Sequence, residues 1–251
     1  SKAFSIMGFL DALPKIRKAK RAIKIMTRMS FFVDKVILID SPAFNLPLAK
    51  AIKALNPNIE IIYYILPQVW AWKPHRVAQI EKYCTVLASI LPFEQQFYTK
   101  ATYVGHPLLD EIPLFKLRAD KEGAIAFLPG SRKSEIQKLM PIFNELASKF
   151  AGKERLLVIP PHLDAHDIAK MYGNVGAFTL CRNTYEAFDK SEFAFICSGT
   201  ATLEAALVGV PFVLAYKAKA IDYWLAKKFV KLKHVGLANI LFDFSDFDPL
   251  H

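Results

Sequence analysis

Residues 193–204 read FAFICSGTATLE, and this stretch decides the fold more clearly than any other part of the sequence. Its apolar first half predicts a buried strand, and the polar turn SGT leads into a helical pattern. Small residues between a strand and a helix let the amide groups at the start of the helix approach an anion, which the helix dipole also favours. The stretch therefore predicts a strand–turn–helix unit of a parallel sheet with a phosphate-binding turn.

Two interpretations of this turn remain open from its residues. Ser198, Gly199 and Thr200 would contact a diphosphate. The carboxylate of Glu204, within two turns of the helix start, can accept hydrogen bonds from the hydroxyls of a ribose. The alternative is a serine or threonine that only caps an ordinary crossover helix.

A second strand leads into a turn of the same kind at residues 124–136, which read AIAFLPGSRKSEI. Gly130 allows a tight turn, Ser131 offers a hydroxyl, and the guanidinium of Arg132 can neutralise a phosphate through two hydrogen bonds. A capped helix with a surface arginine is the alternative. Because ligands of such sheets bind beyond the carboxyl ends of the strands, both turns would face one cleft, and together they favour a nucleoside diphosphate.

Short apolar runs alternate with helical patterns along the whole chain, which is typical of an α/β protein with parallel sheets. Polar and proline-containing residues 107–123 separate the third run from the fourth, so we expect a domain junction near residues 116–121 and domains over residues 1–118 and 119–251. The predicted strands are residues 35–39, 59–65, 86–91, 124–128, 156–159, 193–197 and 211–215, and the predicted helices are residues 46–55, 76–83, 134–150 and 202–208.

Composition narrows the class of protein. The 251 residues are 53% hydrophobic and carry a formal net charge of +10, which suits an acidic partner such as a nucleotide, a nucleic acid or an anionic lipid surface. The three cysteines form no metal-ligand spacing, so we expect neither a disulfide framework nor a zinc site, and a reducing cytoplasm fits best. No apolar run reaches the roughly 18 to 20 residues of a spanning helix. The sequence predicts no metal and no cofactor.

Asp40 ends an apolar strand in residues 36–45, which read VILIDSPAFN. A carboxylate there can act as general base on an acceptor hydroxyl, provided that partial burial raises its pKa toward neutral pH. The alternative is a turn-forming Asp-Ser-Pro or a helix cap. Further along, Trp70 and Trp72 lie beside Lys73, His75 and Arg76, where they would either line a sugar or phosphate site or pack at the edge of the core.

Two basic amphipathic stretches, residues 9–28 and 217–233, combine an apolar face with lysines and arginines. Pro14 is expected to bend or restart the first helix. Such helices lie in the interface of anionic membranes, or else they present a solvated basic face while packed on the protein.

The sequence contains a series of short motifs in a fixed order. They are Met7-Gly8, Ile39-Asp40 with Pro42 and Phe44-Asn45, Pro67 with residues 69–72 (VWAW), residues 91–94 (LPFE), residues 104–106 (VGH), residues 128–132 (LPGSR), residues 198–201 (SGTA) with Leu203-Glu204, residues 225–227 (LAK) and Asn239. In this order and spacing, the motifs resemble the lipid-A-disaccharide synthase family over residues 7–239.

The resemblance implies a GT-B fold, in which two doubly wound, Rossmann-like α/β domains face each other across a cleft. Residues 1–118 would bind the acceptor and residues 119–251 the UDP-sugar. The implied activity is inverting transfer of diacylglucosamine from UDP-diacylglucosamine to diacylglucosamine 1-phosphate, giving the lipid A disaccharide 1-phosphate and UDP. The partners would be these two substrates and, peripherally, the anionic cytoplasmic face of a Gram-negative inner membrane, with no nucleic acid.

The resemblance also assigns residue roles. Asp40 matches the general base, and Ala43, where many relatives carry a second acid, leaves Asp40 as the preferred one. The UDP ligands would be Ser131, Arg132, Ser198, Gly199, Thr200, Ala201, Glu204 and Asn239. The family's first strand, its glycine-rich loop and the segment that follows Asn239 have no counterpart here, so both domains are expected to be incomplete.

Two alternatives stay open. One is another GT-B enzyme of UDP-sugars, either a peptidoglycan N-acetylglucosaminyltransferase or a UDP-sugar epimerase. The other is a noncatalytic peripheral lipid-binding protein that uses the two basic stretches.

Overall fold

The structure, a computed structural model, describes residues 9–112, 123–197, 199–217, 239–241 and 244, with the backbone alone for residues 9–15. These residues divide between two compact units, one ending at Pro107 and the other beginning at Leu108. The predicted boundary at residues 118 and 119 lies outside the described residues and stays a prediction.

Unit 1 is a parallel sheet whose four described strands follow one another in chain order, β1-β2-β3-β4. Its core gathers the inward side chains of β1 and β2 against helix α2, with Tyr63, Leu48 and Ile61 fully buried. The elements are α1 (Phe9–Met29), β1 (Lys35–Ile39), α2 (Pro42–Leu55), β2 (Glu60–Tyr64), α3 (Arg76–Tyr83), β3 (Val86–Ser89), a 3₁₀ helix (Pro92–Phe97) and β4 (Ala101–Tyr103).

Unit 2 is a five-stranded parallel sheet in the order β7-β6-β5-β8-β9. The chain builds outward from β5 to β7 on one side and then returns to add β8 and β9 on the other, which is the doubly wound arrangement. The elements are α4 (Leu108–Glu111), β5 (Ala124–Leu128), α5 (Lys133–Lys149), β6 (Arg155–Val158), α6 (Ala165–Tyr172), β7 (Thr179–Cys181), α7 (Thr184–Asp189), β8 (Ser191–Cys197), α8 (Thr200–Val208) and β9 (Phe212–Ala215).

The central strand β5 explains why this sheet is covered on both faces. All five of its residues are buried, and side chains on its two faces belong to two separate clusters of buried residues. The ring of Phe127 stacks on Phe195 of β8 at 5.2 Å and meets Phe143 of α5 edge-on at 5.3 Å. A strand buried on both faces is expected to hold its carboxyl end in a fixed place.

The structure contains all seven strands and all four helices that the sequence predicts, each within a few residues of the predicted bounds. The sequence missed β4, β7, α4, α6, α7 and the 3₁₀ helix. Helix α1 runs from Phe9 to Met29 as a single element, so Pro14 does not restart the helix, and the alternative of a bend there stays a prediction. Of the second basic stretch, residues 218–233 lie outside the described residues. Among the described helices, none combines the length and the apolar character that crossing a bilayer requires.

Candidate functional site

The two predicted phosphate-binding turns of unit 2 lie side by side. Strands β5 and β8 are neighbours and end in register, with Leu128 opposite Ile196. This pair is the point where the strand order reverses, and ligands of doubly wound sheets bind in the crevice beyond the carboxyl ends at that point. A methyl group placed on Gly130 would lie 3.2 Å from the sulfur of Cys197, so the turn after β5 touches the end of β8.

In the first turn, Gly130 is required by both conformation and space. Its φ of +97° is one that other residues rarely adopt, and a side chain there would also approach the carboxylate of Glu135 to 3.0 Å. That carboxylate bonds Nη1 of Arg132 at 2.6 Å, and it is much less exposed than the arginine, at 17% against 47%. The first turn of α5 therefore orients the guanidinium, while Ser131 is exposed beside it.

In the second turn, Gly199 precedes helix α8 with a φ of +142° and supplies no side-chain cap. The residue at the cap position of this helix is therefore a glycine, and not the serine or threonine of the predicted alternative. The amide of Thr202 donates to the carbonyl of Gly199 at 3.2 Å. The hydroxyl of Thr202 also donates to the carbonyl of Gly199, at 2.8 Å, and stiffens the turn. Thr200 is exposed and Ala201 half-buried, and Ser198 lies outside the described residues.

Glu204, one turn further along α8, is half-buried. Burial raises the pKa of its carboxyl group, and the negative charge of Glu111 raises it further. The carboxylate therefore lies in an environment where a hydrogen-bond donor from a ligand would stabilise its ionised form.

Asn239 is exposed and begins a short helical turn over residues 239–241 of unit 2, in which Ile240 is buried. No hydrogen bond joins Asn239 to another described residue, so its assignment as a ligand rests on the resemblance alone.

Asp40 lies in unit 1, directly after β1, and it is exposed. Partial burial of this carboxyl group was the condition for a general base at this position, and the structure does not show that burial. The helix-cap alternative is also wrong for Asp40, because Ser41 is the residue that precedes α2 and its side chain makes no cap bond. Both Asp40 and Ser41 have a left-handed φ of 45°.

Two residues to which the sequence assigned no role hold the backbone at Asp40. The side-chain amide of Asn45 donates to the carbonyl of Asp40 at 2.6 Å and to that of Ile39 at 3.0 Å. The hydroxyl of Tyr63 donates to the same Asp40 carbonyl at 2.8 Å. The motif IDSPAFN contains Asn45 and was a usable signal, whereas nothing in the sequence links Tyr63 to Asp40.

Of the two tryptophans, Trp70 takes the structural role that was left open. Its ring meets Phe93 edge-on at 5.2 Å, and its indole N–H donates to the carboxylate of Glu94 at 3.2 Å. Glu94 is almost fully buried, which raises its pKa. Trp72 is half-buried beneath the ammonium group of Lys73, which lies 4.4 Å from the ring centre. Trp70 thus connects the loop after β2 to the 3₁₀ helix that follows β3.

Comparison with known proteins gives consistent results. A family model described as Lipid-A-disaccharide synthetase matches residues 1–247. A Campylobacter jejuni protein named lipid-A-disaccharide synthase is 55% identical over 262 residues, which cover 100% of this chain and 71% of that protein. A Helicobacter pylori protein of the same name is 48% identical over 246 residues, which cover 96% of this chain and 68% of that protein. A solved structure described as the glycotransferase of kitacinnamycin matches with a TM-score of 0.49 and 13% identity, over 87% of this chain and 67% of that one.

The expected fold class and activity are confirmed by the family match and by the identity to two named synthases. On that ground the chain belongs to the lipid-A-disaccharide synthase family, a group of GT-B glycosyltransferases of lipid A biosynthesis.

Proposed function

We propose that this chain joins its two sugar substrates by direct inverting displacement. Asp40 is the general base, and the two turns that follow β5 and β8 of unit 2 form the binding site for UDP. Family membership supplies the reaction, which takes a nucleotide-sugar donor and a lipid acceptor. The observation that carries the residue assignment is the adjacency of the Gly130–Arg132 turn and the start of α8 at the strand-order reversal.

On the donor side, Arg132 and the amide groups at the start of α8 neutralise the diphosphate. Charge grows on the leaving UDP as its bond to the sugar breaks, so donors aimed at that position lower the barrier as well as bind the donor. Glu204 accepts hydrogen bonds from the ribose hydroxyls. Ser131, Ser198, Thr200 and Asn239 are proposed as further ligands of UDP.

On the acceptor side, Asp40 removes the proton from the attacking hydroxyl of diacylglucosamine 1-phosphate. The hydroxyl oxygen forms the new bond to the anomeric carbon, and UDP leaves with the electron pair of the old one. The carboxylate is exposed, so the hydroxyl of an incoming substrate can reach it, and the partial burial set as a condition for the base has to come from the bound acceptor.

The experiment that tests the proposal is transfer of labelled diacylglucosamine from UDP-diacylglucosamine to diacylglucosamine 1-phosphate by the purified chain. We expect labelled disaccharide 1-phosphate and an equal amount of UDP. In parallel, UDP should protect the unit that begins at Leu108 against limited proteolysis. A chain that binds lipid without forming disaccharide or being protected by UDP would contradict the proposal in favour of a lipid-binding protein.

Changing Glu111 to glutamine is expected to make UDP binding less sensitive to acid. Burial and the negative charge of Glu111 both raise the pKa of Glu204, and the ionised carboxylate accepts hydrogen bonds from the ribose hydroxyls more strongly than the protonated acid does. As the pH falls, Glu204 takes up its proton and UDP affinity drops; without Glu111 that drop begins at a lower pH. Calorimetric titration with UDP between about pH 5 and pH 8 measures the shift.

The matched control is Glu145→Gln, which neutralises an exposed glutamate of α5 that is paired with Lys149. It should leave the pH dependence of UDP affinity unchanged. Identical curves for wild type and Glu111→Gln, or affinity that rises on acidification, would exclude Glu204 as the ribose ligand.

We also propose that α1 attaches the chain peripherally to an anionic membrane surface. One face of α1 packs on unit 1 through Ile23, while apolar side chains elsewhere on it stay exposed beside its basic residues. A basic helix with exposed apolar side chains can bind the interface of a bilayer. The exposed apolar residues are Ile16, Ile25, Met26 and Met29, and the exposed basic residues are Arg17, Lys18, Lys20, Arg21, Lys24 and Arg28.

Reversing two charges on α1, by Lys24→Glu with Arg28→Glu, is expected to weaken sedimentation with anionic vesicles by at least about tenfold, since each basic residue near such a surface contributes about 1 kcal/mol. The control pair is Lys149→Glu with Lys170→Glu, which makes the same change of net charge on exposed residues of unit 2. Equal loss from both pairs would show a net-charge effect, and no loss from the α1 pair would exclude α1 as the contact.

A further inference from the structure

We infer that Asn45 and Tyr63 are positioning residues of the transfer reaction, which fix the backbone of Asp40 and thereby the place of its carboxylate. The inference rests on the proposed role of Asp40 as base. We refer to the two side chains together as the Asp40 clamp.

The backbone at Asp40 needs such support because its conformation is unfavourable. Asp40 and Ser41 both have a φ of 45°, and left-handed conformations cost free energy for residues other than glycine. Aspartate adopts left-handed conformations more often than most residues do, but serine has no such preference. Two such residues in succession persist only where surrounding contacts hold them.

The clamp supplies those contacts at one carbonyl group. The oxygen of Asp40 accepts bonds from Asn45 Nδ2 at 2.6 Å and from Tyr63 Oη at 2.8 Å. The amide of Asp40 donates to the carbonyl of Tyr64 at 3.1 Å. Hydrogen bonds therefore hold both the N–H and the C=O of Asp40, which connects the end of β1 to β2 and to the first turn of α2.

Both clamp residues are themselves immobilised by burial. Tyr63 is 0% exposed and Asn45 is 7% exposed. Burial also raises the pKa of the Tyr63 hydroxyl, so this group stays protonated and remains a donor at neutral pH.

The carboxylate of Asp40 has no comparable restraint of its own. Within the part of the chain that the structure describes, it makes no hydrogen bond or ion pair with another residue. The position of the carboxylate therefore depends on the backbone, and loosening the backbone would displace it. A displacement of about 1 Å in a reacting group can lower a rate by about 10²-fold.

The test is Tyr63→Phe, which removes one bond of the clamp and keeps the buried ring. We expect kcat to fall by about tenfold or more, while the KM for the UDP-sugar is unchanged because the donor site lies in unit 2. The matched control is Tyr98→Phe: Tyr98 is also buried in unit 1, and its hydroxyl donates to the carbonyl of Pro67 at 2.9 Å. Both variants lose one buried hydrogen bond, so thermal unfolding should report similar losses of stability, but only Tyr63→Phe should lose kcat.

A double-mutant cycle with Asp40→Asn separates this inference from the proposed role of Asp40. If Tyr63 acts through Asp40, Tyr63→Phe should cause no further loss of kcat in the Asp40→Asn background. Asn45→Ala removes two hydrogen bonds of the clamp, so it should lower kcat more than Tyr63→Phe does and should also cause no further loss in the Asp40→Asn background. It is the variant to use if Tyr63→Phe folds poorly.

Three outcomes would overturn the inference. One is wild-type kcat in Tyr63→Phe and Asn45→Ala while Asp40→Asn is inactive, which leaves the base assignment standing. Another is equal loss of kcat in Tyr63→Phe and Tyr98→Phe, which indicates stability alone. The third is full activity of Asp40→Asn, which removes the base assignment and the clamp's role together.

Discussion

Replacing Asp40 with asparagine is expected to lower kcat by about 10²-fold or more, because a positioned general base contributes about that much to a proton-transfer step. Asparagine has nearly the shape of aspartate, and it also tolerates the left-handed φ of 45° at this position. The clamp binds the backbone carbonyl of residue 40 and not its side chain, so the clamp is kept in the variant. The loss should therefore reflect the missing base rather than a disturbed fold.

Steady-state transfer assays at saturating concentrations of both substrates measure this effect. UDP affinity and the thermal unfolding temperature of the same preparation are the controls, and both should stay at the wild-type level. Turnover within a few-fold of wild type would show that another group accepts the proton. Loss of turnover together with loss of UDP binding would point instead to a change beyond the acceptor side.

Replacing Arg132 with alanine is expected to weaken UDP binding by about 10- to 100-fold, the range for losing a charge-assisted hydrogen bond to phosphate. We expect kcat to fall as well, since negative charge on the diphosphate grows as UDP leaves. Arg132→Lys should recover only part of the affinity, because an ammonium group cannot make the paired hydrogen bonds of a guanidinium.

Glu135 tests whether orientation contributes to the effect of Arg132. Its carboxylate bonds Arg132 at 2.6 Å from the first turn of α5. Glu135→Gln should weaken UDP binding less than Arg132→Ala does, and it should have no effect once Arg132 is alanine. Arg182→Ala is the matched control, because within the described part of the chain this arginine of unit 2 donates to the carbonyls of Pro161 and Leu163 and to no carboxylate. Unchanged UDP affinity in Arg132→Ala would remove the first turn from the donor site.

The sequence predicts the buried strands well because a strand covered on both faces must be apolar at every position. Residues 124–128 and 193–197 are such runs, and they become β5 and β8. The two missed strands, β4 and β7, are edge strands of three residues each with partly exposed side chains, so no apolar run marks them. Helix α2 begins at Pro42 rather than at Leu46, and the preference of proline for the first turn of a helix was the signal for that start.

The candidate site likewise has a part that the sequence predicts and a part that only the folded structure shows. Turns that follow a strand carry local signals, so the sequence could predict the residues that lie at the strand-order reversal of unit 2. The pairing of Arg132 with Glu135 and the influence of Glu111 on Glu204 depend on the folded geometry. The clamp at Asp40 is further from prediction, because Tyr63 is brought to that carbonyl only by the pairing of β1 with β2.

We propose that the acceptor hydroxyl, activated by Asp40, displaces UDP directly. The most direct test is the anomeric configuration of the disaccharide that the wild-type chain forms in a single turnover. The ¹H coupling of the new glycosidic linkage reports it. We predict a configuration opposite to that of the UDP donor, because the hydroxyl attacks from the face away from the leaving UDP. A disaccharide with the donor's own configuration would contradict the account, since it requires two displacements or attack from the same face.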